Sequence, residues 1–147
     1  MVTYDTGGFG ALAGFLGDIN GDGKADVVVL NCSPTGSSDC SHNARIGVLL
    51  GKGNGTFNEA TTYDSGGLGG TSALMIADVN GDGTPDILAG NSEPCSSTCS
   101  EGSVGVLQGR GDGTFQAVVT YDLGAVSFAQ SIAVADLNKD EIGRAHV

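Results

Sequence analysis

Two twelve-residue stretches, DINGDGKADVVV from Asp18 and DVNGDGTPDILA from Asp78, place oxygen-bearing side chains at positions 1, 3, 5 and 9. In the first copy these are Asp18, Asn20, Asp22 and Asp26, and in the second Asp78, Asn80, Asp82 and Asp86. Alternating side chains on a tightly turning loop point inward together. Gly23 and Gly83 at position 6 permit the turn, and the backbone carbonyls of Lys24 and Thr84 at position 7 complete a cage. Hard oxygen donors in this number suit calcium better than zinc or copper, and magnesium demands a stricter octahedron. The sequence therefore predicts two calcium sites. The competing reading is an Asx-rich turn that binds nothing, and retention of every ligand position in both copies weighs against it. A third copy is incomplete: Asp136, Asn138 and Asp140 fill positions 1, 3 and 5, but Glu141 stands at position 6 and Arg144 at position 9.

Two familiar calcium modules open similarly and are excluded by the residues after the loop. An EF-hand requires a bidentate Glu at position 12 and flanking helices, whereas Val29 and Ala89 stand there. Dockerin loops run into helices and recur at closer spacing than the sixty residues between Asp18 and Asp78. The run Val27, Val28, Val29, Leu30 reads as a strand.

Other chemistry is sparse. Cys32 with Cys40, and Cys95 with Cys99, lie in polar Ser, Pro and Gly stretches, which favours two local disulfides over free thiols. Zinc is a third reading, with His42 beside Cys40, but the spacing matches no usual zinc pattern. No Ser, His and acid set suggests catalysis, so the chain reads as non-catalytic. Arg110, Gly111 and Asp112 spell an integrin-binding tripeptide, yet the equivalent triplet one repeat earlier is Lys52, Gly53, Asn54. A hairpin accounts for both.

The elements that would position these loops also occur twice. GVLLGKGNGTFNEATTYDSGG from Gly47 is echoed by GVLQGRGDGTFQAVVTYDLGA from Gly105. From residue 72 one unit can be read as four apolar runs, ALMIADV, DILAG, SVGVLQG and AVVTYD, separated by the acidic loop, the cysteine loop and a short turn. Asn54-Gly55 and Asp112-Gly113 suit a two-residue type I′ hairpin between the third and fourth runs. Four short strands per unit and no helix predict propeller blades. The fold class is thus all-β, an incomplete β-propeller of about two and a half four-stranded blades.

Composition limits the partners. A net charge of -11 with only six Lys and Arg argues against nucleic acid, which needs clustered basic residues. Eight of the seventeen acids stand at ligand positions of the three acidic loops, which ties the acidity to cation ligation. No apolar run approaches a membrane span, so no membrane insertion is expected. The N-terminus does not read as a signal peptide. The paired cysteines favour export, and the expectation is an extracellular or cell-surface protein whose signal sequence is not in this chain.

GDINGDGKADVVV and ADVNGDGTPDILA, together with LLGKGNGTF and LQGRGDGTF, resemble the FG-GAP and VCBS-type repeats of integrin α-subunit propellers and many bacterial exported proteins. The resemblance implies calcium ligation by Asp18, Asn20, Asp22 and Asp26 and by their second-copy counterparts. Asn31-Cys32 and Asn91-Ser92 stand where integrins carry a Gly-Ala-Pro segment, so the likeness is to the bacterial branch. On this reading residues 1–10 end a preceding blade, 11–70 and 71–128 are two blade repeats, and 129–140 begin a third. Residues 141–147 resemble translated sequencing-adapter read-through and are read as a non-native tail, natural divergence of a terminal blade being the alternative. The expected function is an extracellular binding or adhesion scaffold with a protein or glycan ligand and neighbouring blades as partners. The alternatives are the propeller portion of an exported polysaccharide-acting enzyme, or an architectural spacer.

Overall fold

A computed structural model describes residues 2–33, 44–67, 73–91, 102–124 and 129–135. Among these residues eight strands form two four-stranded antiparallel sheets, and there is no helix. The first sheet runs β1 (Phe9–Gly17), β2 (Asp26–Ser33), β3 (Arg45–Leu49), β4 (Thr61–Asp64). The second runs β5 (Ala73–Ala77), β6 (Asp86–Asn91), β7 (Ser103–Leu107), β8 (Val119–Asp122). Each strand pairs with the next in the chain, so each sheet is a simple meander. Two such sheets in succession are consistent with propeller-like blades, and they do not close into a propeller.

The apolar runs become the central strands. All six residues of β6 are buried, and so are Val28, Val29, Leu30, Asn31 and Cys32 in β2. Strands covered on both faces read as continuous apolar runs rather than alternating ones. Ile19, Val28, Leu30, Ile46 and Val48 join Ile76, Ile87, Ala89, Leu107 and Phe115 in one apolar cluster. Each large side chain buried there contributes about 1.5 to 3 kcal/mol. The outer strands are wetter: Phe9, Leu12 and Leu16 on β1 and Val119 and Tyr121 on β8 are exposed. A register shift between Ala11 and Ala13 leaves Leu12 as the extra residue of a bulge.

The third and fourth strands meet through a longer loop than the expected two-residue turn. Gly51 bridges Phe57, and the Lys52 amide donates to the Thr56 carbonyl at 2.8 Å, leaving three residues in the loop. Gly53 and Gly55 take φ of 78° and 82°, and Asn54 Oδ1 accepts from the Thr56 amide and hydroxyl. The second hairpin repeats this with Gly111, Asp112 and Gly113. Both flanking glycines are needed because the loop takes left-handed backbone at each, and the side-chain oxygen of the central residue adds to the backbone bond that closes the turn. In the second copy Arg110 Nη1 donates to the Phe115 carbonyl and Asp112 closes its own turn, so the tripeptide is hairpin structure.

Candidate metal centre

Each acidic loop joins the first and second strands of its sheet. In the first, Asp18 Oδ1 accepts the amides of Asn20, Gly21 and Asp22 at 3.3, 2.8 and 3.2 Å, and Oδ2 accepts Gly23 at 2.7 Å. Asn20 Oδ1 accepts the Asp22 amide at 3.1 Å, and Asp22 Oδ1 the Lys24 amide at 2.9 Å. The second loop matches: Asp78 takes Gly81 and Gly83 at 2.7 and 2.8 Å, Asn80 takes Asp82 at 2.9 Å, and Asp82 takes Thr84 at 2.8 Å. Gly21, Gly23, Gly81 and Gly83 all have φ between 74° and 84°. That left-handed backbone turns successive amides inward onto the position-1 carboxylate.

Position 5 differs between the copies. Asp22 Oδ2 pairs with the Lys24 ammonium at 2.8 Å, and this bond, with the Lys24 amide, holds the carboxyl below the ordinary range while raising Lys24. In the second loop Thr84 replaces Lys24, and its hydroxyl and amide lower Asp82. Asn80 Nδ2 adds a bond to Asp82 Oδ2 at 2.8 Å.

Position 9 points elsewhere. Asp26 is fully buried, with Oδ2 accepting the Ile19 amide at 3.0 Å and Oδ1 the Gly51 amide at 2.7 Å. Asp86 is equally buried and takes Val79 at 3.0 Å and Gly109 at 2.9 Å. Each therefore clamps its acidic loop to the start of the hairpin after the third strand. Burial pushes the Asp86 carboxyl up, against the opposing pull of its two amides.

The structure thus brings positions 1, 3 and 5 onto one turn and sets position 9 beneath it. An oxygen-only donor set with an ionised Asp at position 5 has the right chemistry for a hard cation. Among the described residues, however, no three acidic, His or Cys side chains are gathered closely enough to hold an ion as they stand. An arriving ion competes with Lys24 or Thr84 for the position-5 carboxylate. A cleft of 340 Å³ between Asp18, Asn20 and Gly21 of one loop and Gly83 and Thr84 of the other puts both turns on one side of the molecule. Asp136, Asn138 and Asp140 lie outside the described residues, as do His42, Cys40, Cys95 and Cys99. Cys32 is buried and not a free thiol.

A second recurring constellation escaped the ligand spacing. Asn31 Nδ2 donates to the Thr6 carbonyl at 2.9 Å, and Asn91 Nδ2 to the Ser65 carbonyl at 2.9 Å. Tyr4 stacks edge-on to Phe57 at 5.3 Å, and Tyr63 to Phe115 at 5.6 Å. A Cβ on Gly47 would lie 1.9 Å from the Thr6 oxygen, and one on Gly105 2.0 Å from the Ser65 oxygen. A TYDxG segment is thereby seated on the second and third strands of each sheet and on the hairpin that follows them. The signal was present in the sequence as the repeated TYD and as the Asn that ends each second run.

Residues 18–89, from the first acidic loop into β6, match the family described as the FG-GAP-like repeat. Comparison with curated proteins and with solved structures gave no match.

Proposed function

We propose that this chain is a calcium-stabilised array of FG-GAP and VCBS-type repeats, serving as a non-catalytic binding or adhesion scaffold outside the cell. The observation that carries the reading is the acidic loop made twice with one hydrogen-bond pattern, at the place where the repeat match begins and again within it. Calcium at Asp18, Asn20, Asp22 and the Lys24 carbonyl, and at Asp78, Asn80, Asp82 and the Thr84 carbonyl, would tie the first strand of each sheet to the second. Asp26 and Asp86 brace those loops from below through backbone amides, and because each carboxylate oxygen keeps a spare lone pair they belong to the proposed ligand set as well. Affinities on the order of 10⁻⁴ to 10⁻³ M suit extracellular modules. The bacterial exported origin and the pairings Cys32 with Cys40 and Cys95 with Cys99 belong to the same proposal. A binding face on the loops is expected from where functional sites sit on rigid repeat scaffolds.

Calorimetric titration of the chelator-stripped protein tests it. Two calcium equivalents with a raised melting temperature support the reading; a folded protein that takes up no heat at millimolar calcium refutes it.

A further inference from the structure

We propose that Asn54 is a self-modifying residue, the Asn-Gly site that the fold prepares for deamidation through a cyclic imide. The dipeptide occurs at Asn20-Gly21, Asn54-Gly55 and Asn80-Gly81. In this reaction the glycine amide nitrogen gives up its proton and bonds to the asparagine side-chain carbonyl carbon, closing the imide. The bond from that carbon to Nδ2 breaks, and ammonia leaves with the proton. Water then opens either imide bond, giving aspartate or iso-aspartate. The reaction therefore needs a free amide nitrogen, a polarised carbonyl and room for the ring.

The three sites differ in the first two respects. The Gly21 amide donates to Asp18 Oδ1 at 2.8 Å and the Gly81 amide to Asp78 Oδ1 at 2.7 Å. Each proton is held by a carboxylate, whose charge opposes an amide anion beside it. The Gly55 amide has no acceptor among the described residues. The carbonyls differ too. Asn54 Oδ1 accepts both the Thr56 amide at 3.1 Å and the Thr56 hydroxyl at 2.6 Å. Two donors aimed at the oxygen on which negative charge collects stabilise the tetrahedral intermediate. Asn20 Oδ1 and Asn80 Oδ1 each accept one amide, and Asn80 Nδ2, the leaving group, is tied to Asp82 Oδ2 at 2.8 Å. Room for the ring is present, because Asn54 and Gly55 are exposed and a Cβ on Gly55 would meet nothing within 4 Å.

The second hairpin shows one product in place. Asp112 closes the same turn, with Oδ1 accepting the Thr114 amide at 2.9 Å and the Thr114 hydroxyl at 2.6 Å. The aspartate product at position 54 therefore keeps the loop and adds one negative charge to it. Asp112 is not itself a second such site. Its ionised carboxylate is a poor electrophile, and Gly113 is buried under Leu50, whose Cδ2 would lie 2.7 Å from an added Cβ. The iso-aspartate product acts differently, since it inserts one more carbon into the backbone between Lys52 and Thr56. It thereby strains the bond from the Lys52 amide to the Thr56 carbonyl that closes the loop.

Peptide mapping by mass spectrometry on the folded full chain, held in chelator at mildly alkaline pH, tests this. Asn54 should gain the mass of an amide-to-acid change at least about ten-fold faster than Asn20 or Asn80. In urea, where only the shared dipeptide remains, the three rates should converge. Thr56→Val should slow the change at Asn54 by about ten-fold, the worth of one hydrogen bond to a charged oxygen, and Thr56→Ser should restore it. Equal rates at the three sites in the folded chain overturn the proposal. So does a lead for Asn54 that persists in urea, which would assign it to neighbouring sequence rather than to the fold. A folded Thr56→Val variant that reacts at the wild-type rate overturns it as well.

Discussion

At the scale of single residues, four aspartates of one spelling divide into two jobs. Asp26 and Asp86 each hold two backbone amides in the interior, whereas Asp22 and Asp82 sit on the outer turn. Removing the acceptor of two buried donors costs about 3 kcal/mol. Asp26→Ala should therefore lower the urea midpoint in chelator, while Asp22→Ala should change chelator stability by under about 0.5 kcal/mol and remove one calcium equivalent. The copies should also differ in affinity. The Lys24 ammonium occupies Asp22 and adds a positive charge that an arriving cation must displace, whereas Thr84 and Asn80 engage Asp82 without charge, so the first loop should bind calcium more weakly. Lys24→Thr should make the two titration steps merge. Asp112 offers a pH test away from the loops. The Thr114 hydroxyl and amide hold its carboxyl below the ordinary value of 3.8. A depressed folded pKa contributes stability above the unfolded value that is lost as pH falls through the folded one. Asn54 closes the same turn in the first copy without a charge. Asp112→Asn should keep neutral-pH stability and flatten the acid limb of the unfolding profile below pH 3.8.

Between elements, the close approach of backbone to sheet decides what each β3-type strand tolerates. Gly105→Ala places a methyl on the Ser65 carbonyl, in the link between the two sheets, and overpacking of this kind costs about 1 to 3 kcal/mol. Gly47→Ala presses instead on the Thr6 carbonyl, in the segment that precedes β1. The expected result is a lower urea midpoint for Gly105→Ala, and for Gly47→Ala faster hydrogen exchange confined to residues 2–7. Much of this layer was legible. Apolar runs such as DVVVL and DILAG became β2 and β6 because strands buried on both faces need no alternation. Two things were not. The hairpin dipeptides suggested two-residue turns, but Asn54 and Asp112 accept from Thr56 and Thr114, and the loop takes three residues. Nor does spacing reveal that position 9 faces the interior. An inward carboxylate serves a cation or a pair of amides equally well, and only the nearness of the next hairpin, some 25 residues on, distinguishes them.

For the molecule as a whole, charge makes any cation a stabiliser, so calcium must be separated from salt. With a net charge of -11, self-repulsion falls as ionic strength rises whichever salt is used. Specific binding adds a term of its own, RT ln(1 + [L]/Kd) per site, when only the folded state binds. At about 10 mM calcium and a Kd of 10⁻⁴ to 10⁻³ M this is about 1.4 to 2.7 kcal/mol per site. Two sites should then raise the melting temperature by roughly 10 °C or more. Sodium chloride at matched ionic strength should give the screening part alone. The double variant Asp22→Ala with Asp82→Ala should keep the sodium response and lose the calcium increment. Equal responses to the two salts in the wild type would reduce both loops to turns held by their own amides. The two outcomes differ because screening acts on all seventeen acids together, whereas ligation acts through one carboxylate in each loop that must exchange Lys24 or Thr84 for the ion.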